Sequence, residues 1–240
     1  MKRMKHAAMP NSLLAGLSDK LLGEIIAQGD TVELELKRIL HYPDEQASHV
    51  YFHLSGVISL LTVLDDGSAV EIATVGSEGM ADFAAYLDLE SPARWLVQVP
   101  GSALRVEAAE LRQLADQWPE LRDVMHNYML AMFVLVSQTA ACNRRHPVEE
   151  RCARWLLMTH DRVEADTFPM THEFLADMLG VRRPSVSIAM SILSKAGYMR
   201  YRRGKVEILD RRGLEQATCE CYQVLALQFE KRFPFTTRQD

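Results

Sequence analysis

Basic side chains are concentrated in one short part of this 240-residue sequence. Between residues 182 and 212 there are nine arginines and lysines and only two acidic residues, whereas the whole chain carries a net charge of −5. Guanidinium and ammonium groups at this density bind phosphates. Residues 1–146 carry a net charge of −7 and residues 147–240 a net charge of +2. The sequence therefore indicates one phosphate-binding surface near the C-terminal end. It does not indicate a protein that coats nucleic acid non-specifically.

Two predicted helices lead into the basic segment. Apolar residues at helical spacing predict a first helix that begins after Thr171, a good N-cap. Gly180 can adopt the positive φ that ends this helix, and a second helix is predicted over residues 183–195. The small Ala176 and the apolar Val186 stand at the spacing that close crossing of the two helices requires. The pattern predicts a helix-turn-helix.

A short hairpin is predicted directly after the second helix. The apolar runs 198–201 and 206–209 flank the sequence Arg202-Arg203-Gly204-Lys205, which is typical of a β-hairpin with a basic tip, or wing. The alternative interpretation is an ordinary helical hairpin with a solvated basic loop. The wing and the local charge favour a DNA-binding domain over this alternative.

The N-terminal half has a different pattern of secondary-structure signals. Residues 11–27 predict one or two short helices. Residues 32–106 contain many short β-prone runs between turn signals, which include Ser55-Gly56, Asp66-Gly67 and Pro100-Gly101. Strands at this spacing indicate a small β-roll, and the fold class is therefore α+β.

A long helix is predicted from Pro119 to about Arg145. One set of its side chains alternates steps of four and three residues, which is coiled-coil spacing, and other apolar residues cover the remaining sides. A helix that is apolar nearly all round has two apolar faces that must be buried. We expect the β-roll to cover one face and a second copy of the chain to cover the other. The alternative is a central helix that is wholly buried within one domain. The predicted dimer seam consists of Leu121, Met125, Tyr128, Met132, Leu135 and Thr139.

Pro147 breaks the long helix, because the residue before a proline is pushed out of the α region. We place a hinge there and expect a further helix over residues 148–162, a connector at 166–170, one final helix at 212–232 and a tail at 233–240. The predicted domains are a β-roll sensor domain at 1–117, a dimerisation helix at 118–146 and a DNA-binding domain at 147–240.

Several classes of protein and site are not expected. No apolar run approaches the ~20 residues of a membrane helix, and the N-terminus lacks the apolar region of a secretory signal, which indicates a cytoplasmic protein. No catalytic fingerprint is present, so we predict neither an enzyme nor catalytic residues. We also predict no metal site, since Cys142, Cys152, Cys219 and Cys221 have neither zinc nor disulfide spacing. Redox activity of Cys219 and Cys221 stays open, with chance occurrence the favoured interpretation.

Three stretches carry a family resemblance. THEFLADMLGVRRPSVSIAMSILSKAGYM is the most specific, and VYFHLSGVISLL and VEIATVGSEGM add to it. Together with the order of elements, they resemble the Crp/Fnr family of bacterial transcription regulators over nearly the whole chain. The resemblance implies a cyclic-nucleotide-binding-like jelly roll, a long dimerisation helix and a C-terminal winged helix-turn-helix. It also implies a homodimer on palindromic double-stranded DNA, with RNA polymerase as a further partner.

The resemblance assigns roles to individual residues. Arg183 matches the family arginine at the start of the helix that enters the major groove, where an arginine can make two hydrogen bonds to guanine. Pro184 and Ile188 depart from the best-known members, so the target sequence should differ from theirs. The other implied DNA contacts are Ser185 and Ser187 to bases or phosphates, and Thr171, His172, Arg182, Arg200, Arg202, Arg203 and Lys205 to phosphates.

The sensor half departs further from the family. Glu78 and Arg94 are the nearest candidates for cyclic-nucleotide contacts, but Arg94 lacks the hydroxyl partner found in the family, so we do not expect cyclic AMP binding. No cysteine precedes Cys142, unlike in the iron–sulfur members. We predict no cofactor, and the effector is unknown. A haem ligand stays open at three histidines, which are more readily understood as surface or structural residues: His41, His49 and His53.

The predicted function is a homodimeric, sequence-specific transcription regulator. It would read the major groove with helix 183–195 and be gated by an unidentified small molecule in the β-roll. The alternative is a ligand-binding or protein-interaction module whose basic wing binds an acidic partner. The dependence of DNA binding on salt and on sequence separates the two.

Overall fold

The computed structural model describes residues 9–163 and 165–232, so residues 1–8 and the predicted tail 233–240 lie outside the described residues. The chain begins with two short helices, α1 (Ser12–Ala15) and α2 (Asp19–Gln28), as predicted. Asn11 caps α1 and donates hydrogen bonds to the carbonyls of His53 and Gly79, which anchors the helix to the sheet behind it.

Six strands form the antiparallel sheet of the β-roll. The path runs β1-β6-β3-β4, with β2 paired to β6 and β5 paired to β3. Its core contains Phe52 and Trp95, both almost fully buried. The strands are β1 (Gly29–Leu34), β2 (Ile39–His41), β3 (His49–Val63), β4 (Ala69–Val75), β5 (Met80–Ala81) and β6 (Arg94–Glu107).

Strands β3 and β6 are longer than predicted, because the expected turns at Ser55-Gly56 and Pro100-Gly101 are bends within paired strands. The pairing shifts register around Ser55, and Gly56 has a φ of +83°. A Cβ on Gly101 would collide with the carbonyl group of Ser55. The glycines therefore allow the two strands to bend and approach closely without separating, and the prediction of turns at these two positions is wrong.

Three further helices accompany the sheet: α3 (Phe83–Tyr86), between β5 and β6, and α4 (Ala108–Gln117), neither of which was predicted, and α5 (Pro119–Arg145), the predicted long helix. The hydroxyl of Tyr128 on α5 donates a hydrogen bond to the carbonyl of Met80 at 2.6 Å. The ring of Phe83 contacts the rings of Trp95 and Tyr128 edge-on. One face of α5 is thus packed into the core of the β-roll.

The C-terminal part contains the predicted helix-turn-helix and wing, with two differences. The connector at 166–170 includes a strand, β7, which pairs with β9 and makes the wing a three-stranded sheet. The predicted final helix is two helices, interrupted at residues 217–220. The elements are α6 (Val148–His160), β7 (Thr167–Pro169), α7 (His172–Leu179), α8 (Arg183–Lys195), β8 (Met199–Arg202), β9 (Lys205–Ile208), α9 (Arg211–Gln216) and α10 (Cys221–Arg232).

The β-roll contacts the helix-turn-helix directly. A Cβ built on Gly180 would lie 3.1 Å from a methyl group of Val70, at the start of β4. Strand β4 therefore packs against the turn of the motif, while none of the described residues covers the outer surface of α8. Within the described residues, no helix is both long and apolar enough to cross a membrane.

Candidate nucleic-acid interface

The helix-turn-helix is built as the sequence predicted. The hydroxyl of Thr171 accepts a hydrogen bond from the N–H of Phe174 and caps α7. Gly180 adopts the left-handed conformation, with φ 60° and ψ 42°, and ends that helix. Ala176 and Val186 are buried at the crossing of α7 and α8. The short side chain of Ala176 permits the close approach that fixes the angle between the two helices.

Helix α8 has one buried face and one open face. Its buried residues are Val186, Ala189, Met190 and Leu193. On the open face, the Arg183 side chain is 66% exposed and pairs with Glu173 at 3.6 Å. An ion pair this exposed contributes little, so Arg183 can leave Glu173 for another partner. Arg182 also lies exposed, directly before the helix.

Three elements meet at His172. Its Nδ1 lies 2.9 Å from the hydroxyl of Ser187 on α8, and its ring packs against that of Tyr201 on β8, with 4.4 Å between centroids. Burial, followed by the positive charge of Arg183, lowers the pKa of His172. The imidazole is therefore neutral near pH 7, and it holds α7, α8 and the wing in one arrangement without contributing a charge.

The wing turn is tight. Arg203 and Gly204 both have positive φ, 51° and 74°, as the two central residues of a type I′ turn require. Strand pairing extends to Arg202 and Lys205, so the loop is shorter than the four residues expected. A Cβ on Gly204 would lie 3.9 Å from the Thr171 side chain, which places the wing turn beside the N-terminus of α7.

The basic side chains of the wing surround a shallow groove. Arg200 donates to Glu207 at 2.9 Å, which neutralises part of the local charge. The groove is lined by Thr167, Arg200, Arg202, Arg203, Lys205 and Glu207. The structure therefore brings all three groups of predicted DNA contacts together: the N-terminus of α7, the first turns of α8 and the wing.

The residues predicted for the dimer seam are buried in the chain's own core. All six side chains, from Leu121 to Thr139, are between 0 and 6% exposed. The coiled-coil spacing therefore marks the face of α5 that covers the β-roll and α10, and the predicted seam is corrected accordingly. On the opposite side of α5, Leu130 is 48% and Phe133 is 69% exposed.

Of the two candidate effector contacts, Glu78 is paired within the chain, whereas the buried Nε of Arg94 has no hydrogen-bond partner among the described residues. Glu78 accepts a hydrogen bond from Nε of Arg162 at 2.7 Å, and both side chains are nearly buried. The guanidinium of Arg94 lies 6.0 Å from the ring centre of Tyr42. Glu78 thus joins the β-roll to the segment after α6.

Two features were missed in the sequence. Ile192 is 48% exposed beside Ile188, which is 63% exposed, on the open face of α8, although the helical spacing already set both apart from the buried face. The structure also gathers four potential metal ligands, which the spacing of the cysteines did not predict: Cys142, His146, Cys219 and Cys221. The signal was a C-x3-H pair followed, after a whole domain, by C-x-C.

Comparisons with known proteins give consistent results. The family model described as the Crp-like helix-turn-helix domain matches residues 150–217. No curated protein sequence matches the chain.

Solved structures match over most of the chain, at low sequence identity. One protein from Eubacterium rectale, assigned to the Crp/Fnr family of transcriptional regulators, has a TM-score of 0.67 at 18% identity, covering 85% of this chain and 96% of its own. FixK2 from Bradyrhizobium japonicum has a TM-score of 0.65 at 18% identity, covering 80% and 98%. A Crp/Fnr-family transcriptional regulator from Thermus thermophilus has a TM-score of 0.65 at 19% identity, covering 78% and 97%. Residues 150–217 therefore match the Crp-like helix-turn-helix domain, and the described chain has the same fold as solved structures that are assigned to the Crp/Fnr family of transcription regulators.

Proposed function

We propose that this chain acts as a homodimeric transcription regulator that binds palindromic double-stranded DNA with helix α8 and the wing. The observation that carries the proposal is the open face of α8. Arg182 and Arg183 lie exposed at its start, next to the N-terminus of α7 and the basic wing. A helix with a free outer face of this kind fits the major groove, and the flanking basic groups can contact the phosphates on either side.

Within this proposal, Arg183 exchanges its exposed contact with Glu173 for two hydrogen bonds to a guanine. Ser185 supplies a further contact in the groove. The hydroxyl of Ser187 is hydrogen-bonded to His172. We therefore assign Ser187 and His172 to positioning and phosphate contact rather than to base reading. The remaining proposed phosphate contacts are Thr171, Arg182, Arg200, Arg202, Arg203 and Lys205.

Dimerisation supplies the second half of the site. Two copies related by a twofold axis present two α8 helices, which must be separated by about one helical turn of DNA, roughly 34 Å. The proposed dimer contact is the exposed side of α5 that carries Leu130 and Phe133. We propose that residues 1–117 form the sensor domain, 118–146 the dimer helix and 147–240 the DNA-binding domain. A regulator of this kind works in the cytoplasm, with RNA polymerase as its further partner.

The test is selection of bound sequences from a random duplex pool, followed by titration of the selected site and a scrambled site. Arg183→Ala should lose about 1–3 kcal/mol of discrimination at one base pair of each half-site, and should retain weak, salt-sensitive binding. Arg122→Ala, an exposed arginine on α5, is the matched control and should behave as the unmodified chain.

Unchanged sequence preference in Arg183→Ala would refute the assignment of that residue. Equal affinity for every duplex and for other polyanions would instead favour an acidic protein partner for the wing.

A further inference from the structure

Four side chains that flank residues 150–217 in the sequence converge at the end of α5. Cys142 and His146 lie one turn apart at the C-terminus of α5, and Cys219 and Cys221 lie at the start of α10. Their potential ligand atoms all lie within 4.8 Å of one another. The three cysteines are buried in a cluster of their own, separate from the main hydrophobic core, and His146 is 18% exposed at its edge.

The distances match one metal ion with tetrahedral coordination. With zinc–sulfur and zinc–nitrogen bonds of about 2.3 and 2.0 Å, two sulfur ligands should lie roughly 3.8 Å apart, and a sulfur and a nitrogen roughly 3.5 Å apart. The sulfur atoms of Cys142 and Cys219 lie 3.6 Å apart, and the sulfur of Cys221 lies 3.5 Å from Nδ1 of His146. Three cysteines and one histidine form a closed ligand set of the structural type.

The groups around the cluster also suit a metal site. Nε2 of His146, the ring nitrogen that faces away from Cys221, lies 3.3 Å from the carboxylate of Glu220, which fixes the ring orientation. The side-chain amide of Gln138 donates to the sulfur of Cys221 at 3.1 Å.

Nearby positive charge suits the ligand set. Three thiolates and one divalent ion leave one net negative charge, and Arg151 on the neighbouring α6 is buried and interacts electrostatically with Cys142 and Cys219.

We propose that Cys142, His146, Cys219 and Cys221 bind one zinc ion, which fastens α10 to the end of α5. The ligands bracket residues 147–218, and these residues contain the whole Crp-like helix-turn-helix domain at 150–217. The ion therefore joins the two ends of the Crp-like helix-turn-helix domain, and it holds them against the C-terminus of the long helix.

Other chemistries fit the cluster less well. An iron–sulfur cluster spreads its cysteine sulfurs over several iron atoms, whereas these ligand atoms converge on one point. A disulfide between Cys142 and Cys219 would need the sulfurs to approach to about 2.05 Å, and it would use neither His146 nor Cys221.

The test uses the purified full chain, which is desalted and analysed for metals by mass spectrometry. We expect one zinc per chain, and replacement by Co²⁺ should give the visible absorption of tetrahedral cobalt with thiolate ligands. Cys219→Ser and His146→Gln should each lose the bound metal. Cys152→Ser is the matched control, because Cys152 is a buried cysteine that contacts Met190 outside the cluster.

A second measurement does not depend on folding of the ligand variants. In competition with a chelator, Glu220→Ala should bind zinc about 10- to 100-fold more weakly than the unmodified chain, since it removes the hydrogen-bond partner of His146 and leaves all four ligands in place. Absence of both zinc and a cobalt spectrum in the unmodified chain would overturn the proposal. So would full zinc content in Cys219→Ser, or a Cys142–Cys219 disulfide in protein purified under reducing conditions. None of these results depends on whether the chain binds DNA.

Discussion

At the scale of single residues, Ile188 is an apolar side chain at a solvent-facing position of α8. It is 63% exposed in the middle of the open face of α8, with Ile192 one turn further along. An apolar side chain in the major groove contacts the methyl group of thymine, which no other base presents. We therefore expect Ile188 to specify a thymine next to the base pair that we propose Arg183 reads.

Replacement of that thymine by deoxyuridine removes only the methyl group. It should weaken binding by about 0.8 kcal/mol, roughly fourfold in Kd, in the unmodified chain. In Ile188→Ser the same replacement should have no effect, and fluorescence titration of the paired duplexes measures both.

Leu227→Ser, which alters an apolar residue 64% exposed on α10, serves as the control and should keep the fourfold difference. An equal penalty for deoxyuridine in Ile188→Ser would assign the thymine contact to another residue.

At the scale of elements, α5 has a second apolar stripe that the single chain leaves open. Leu130 and Phe133 are its large residues, and small side chains continue it toward the C-terminus of the helix. The proposed dimer buries this stripe against its symmetric copy. The exposed or half-exposed members are Leu130, Phe133, Val134, Ser137, Ala140 and Ala141.

Phe133→Glu should therefore separate the dimer. Because the contact is symmetric, the change places two carboxylates near each other, and like charges at an interface cost several kcal/mol, which corresponds to at least roughly 100-fold in the dissociation constant. Analytical ultracentrifugation over a concentration series measures it. Leu89→Glu changes a residue 58% exposed in the β-roll and should leave the dimer intact. A Phe133→Glu chain that stays dimeric would place the interface elsewhere.

The α5 stripe also shows where sequence reasoning succeeds and where it stops. Local signals were sufficient for the helix-turn-helix, because Thr171 and Gly180 determine the ends of α7 through their own backbone and side chain. The spacing along α5 correctly indicated two apolar faces. It could not tell which face meets the chain's own β-roll, since that depends on residues such as Met80 that are distant in sequence.

The metal ligands illustrate the same limit. His146 and Cys219 are separated by a whole domain, and only the packing of α10 against α5 brings them together. In the β-roll, the glycines at 56 and 101 have the sequence signature of turns, but pairing of β3 with β6 keeps both strands continuous.

At the scale of the whole molecule, buried polar contacts join the β-roll to the DNA-binding domain. The indole N–H of Trp155 on α6 donates to the Glu71 carboxylate on β4 at 2.8 Å. The amide of Gln98 on β6 donates to the hydroxyl of Thr159 on α6 at 2.9 Å. All four side chains are buried, so each contact satisfies groups that water does not reach. This interface adds a polar connection through α6 to the direct packing of Val70 against Gly180 in the helix-turn-helix.

Protonation of Glu71 completes this network. The hydroxyl of Ser59 lies 2.5 Å from one Glu71 oxygen and 2.9 Å from the carbonyl oxygen of the Gln98 amide, yet it has a single proton to donate. If Glu71 is protonated, it donates to Ser59, and Ser59 donates onward to Gln98. Burial raises the pKa of Glu71 to about 7, despite the opposing effect of its hydrogen-bond donors. Glu71 therefore changes charge near neutral pH, at the contact between the two domains.

This shift makes stability depend on pH with a definite sign. The folded-state pKa of Glu71 lies above its unfolded value, so the stabilisation is fully present below about pH 4.5 and is lost as the pH rises through about 7. Between pH 5 and 8 this group should lower the free energy of unfolding by about 2–3 kcal/mol. Glu71→Gln keeps the shape of the side chain without its charge, so it should be more stable than the unmodified chain at pH 8 and should lack this part of the pH dependence in urea titrations.

Glu33→Gln changes an exposed carboxylate of the β-roll and should follow the unmodified profile. Burial also raises the pKa of Asp82, but that contribution is common to all three proteins and cancels in the comparison. Parallel profiles for Glu71→Gln and the unmodified chain would mean that Glu71 is ionised in the folded protein, and the proton chain through Ser59 would have to be abandoned.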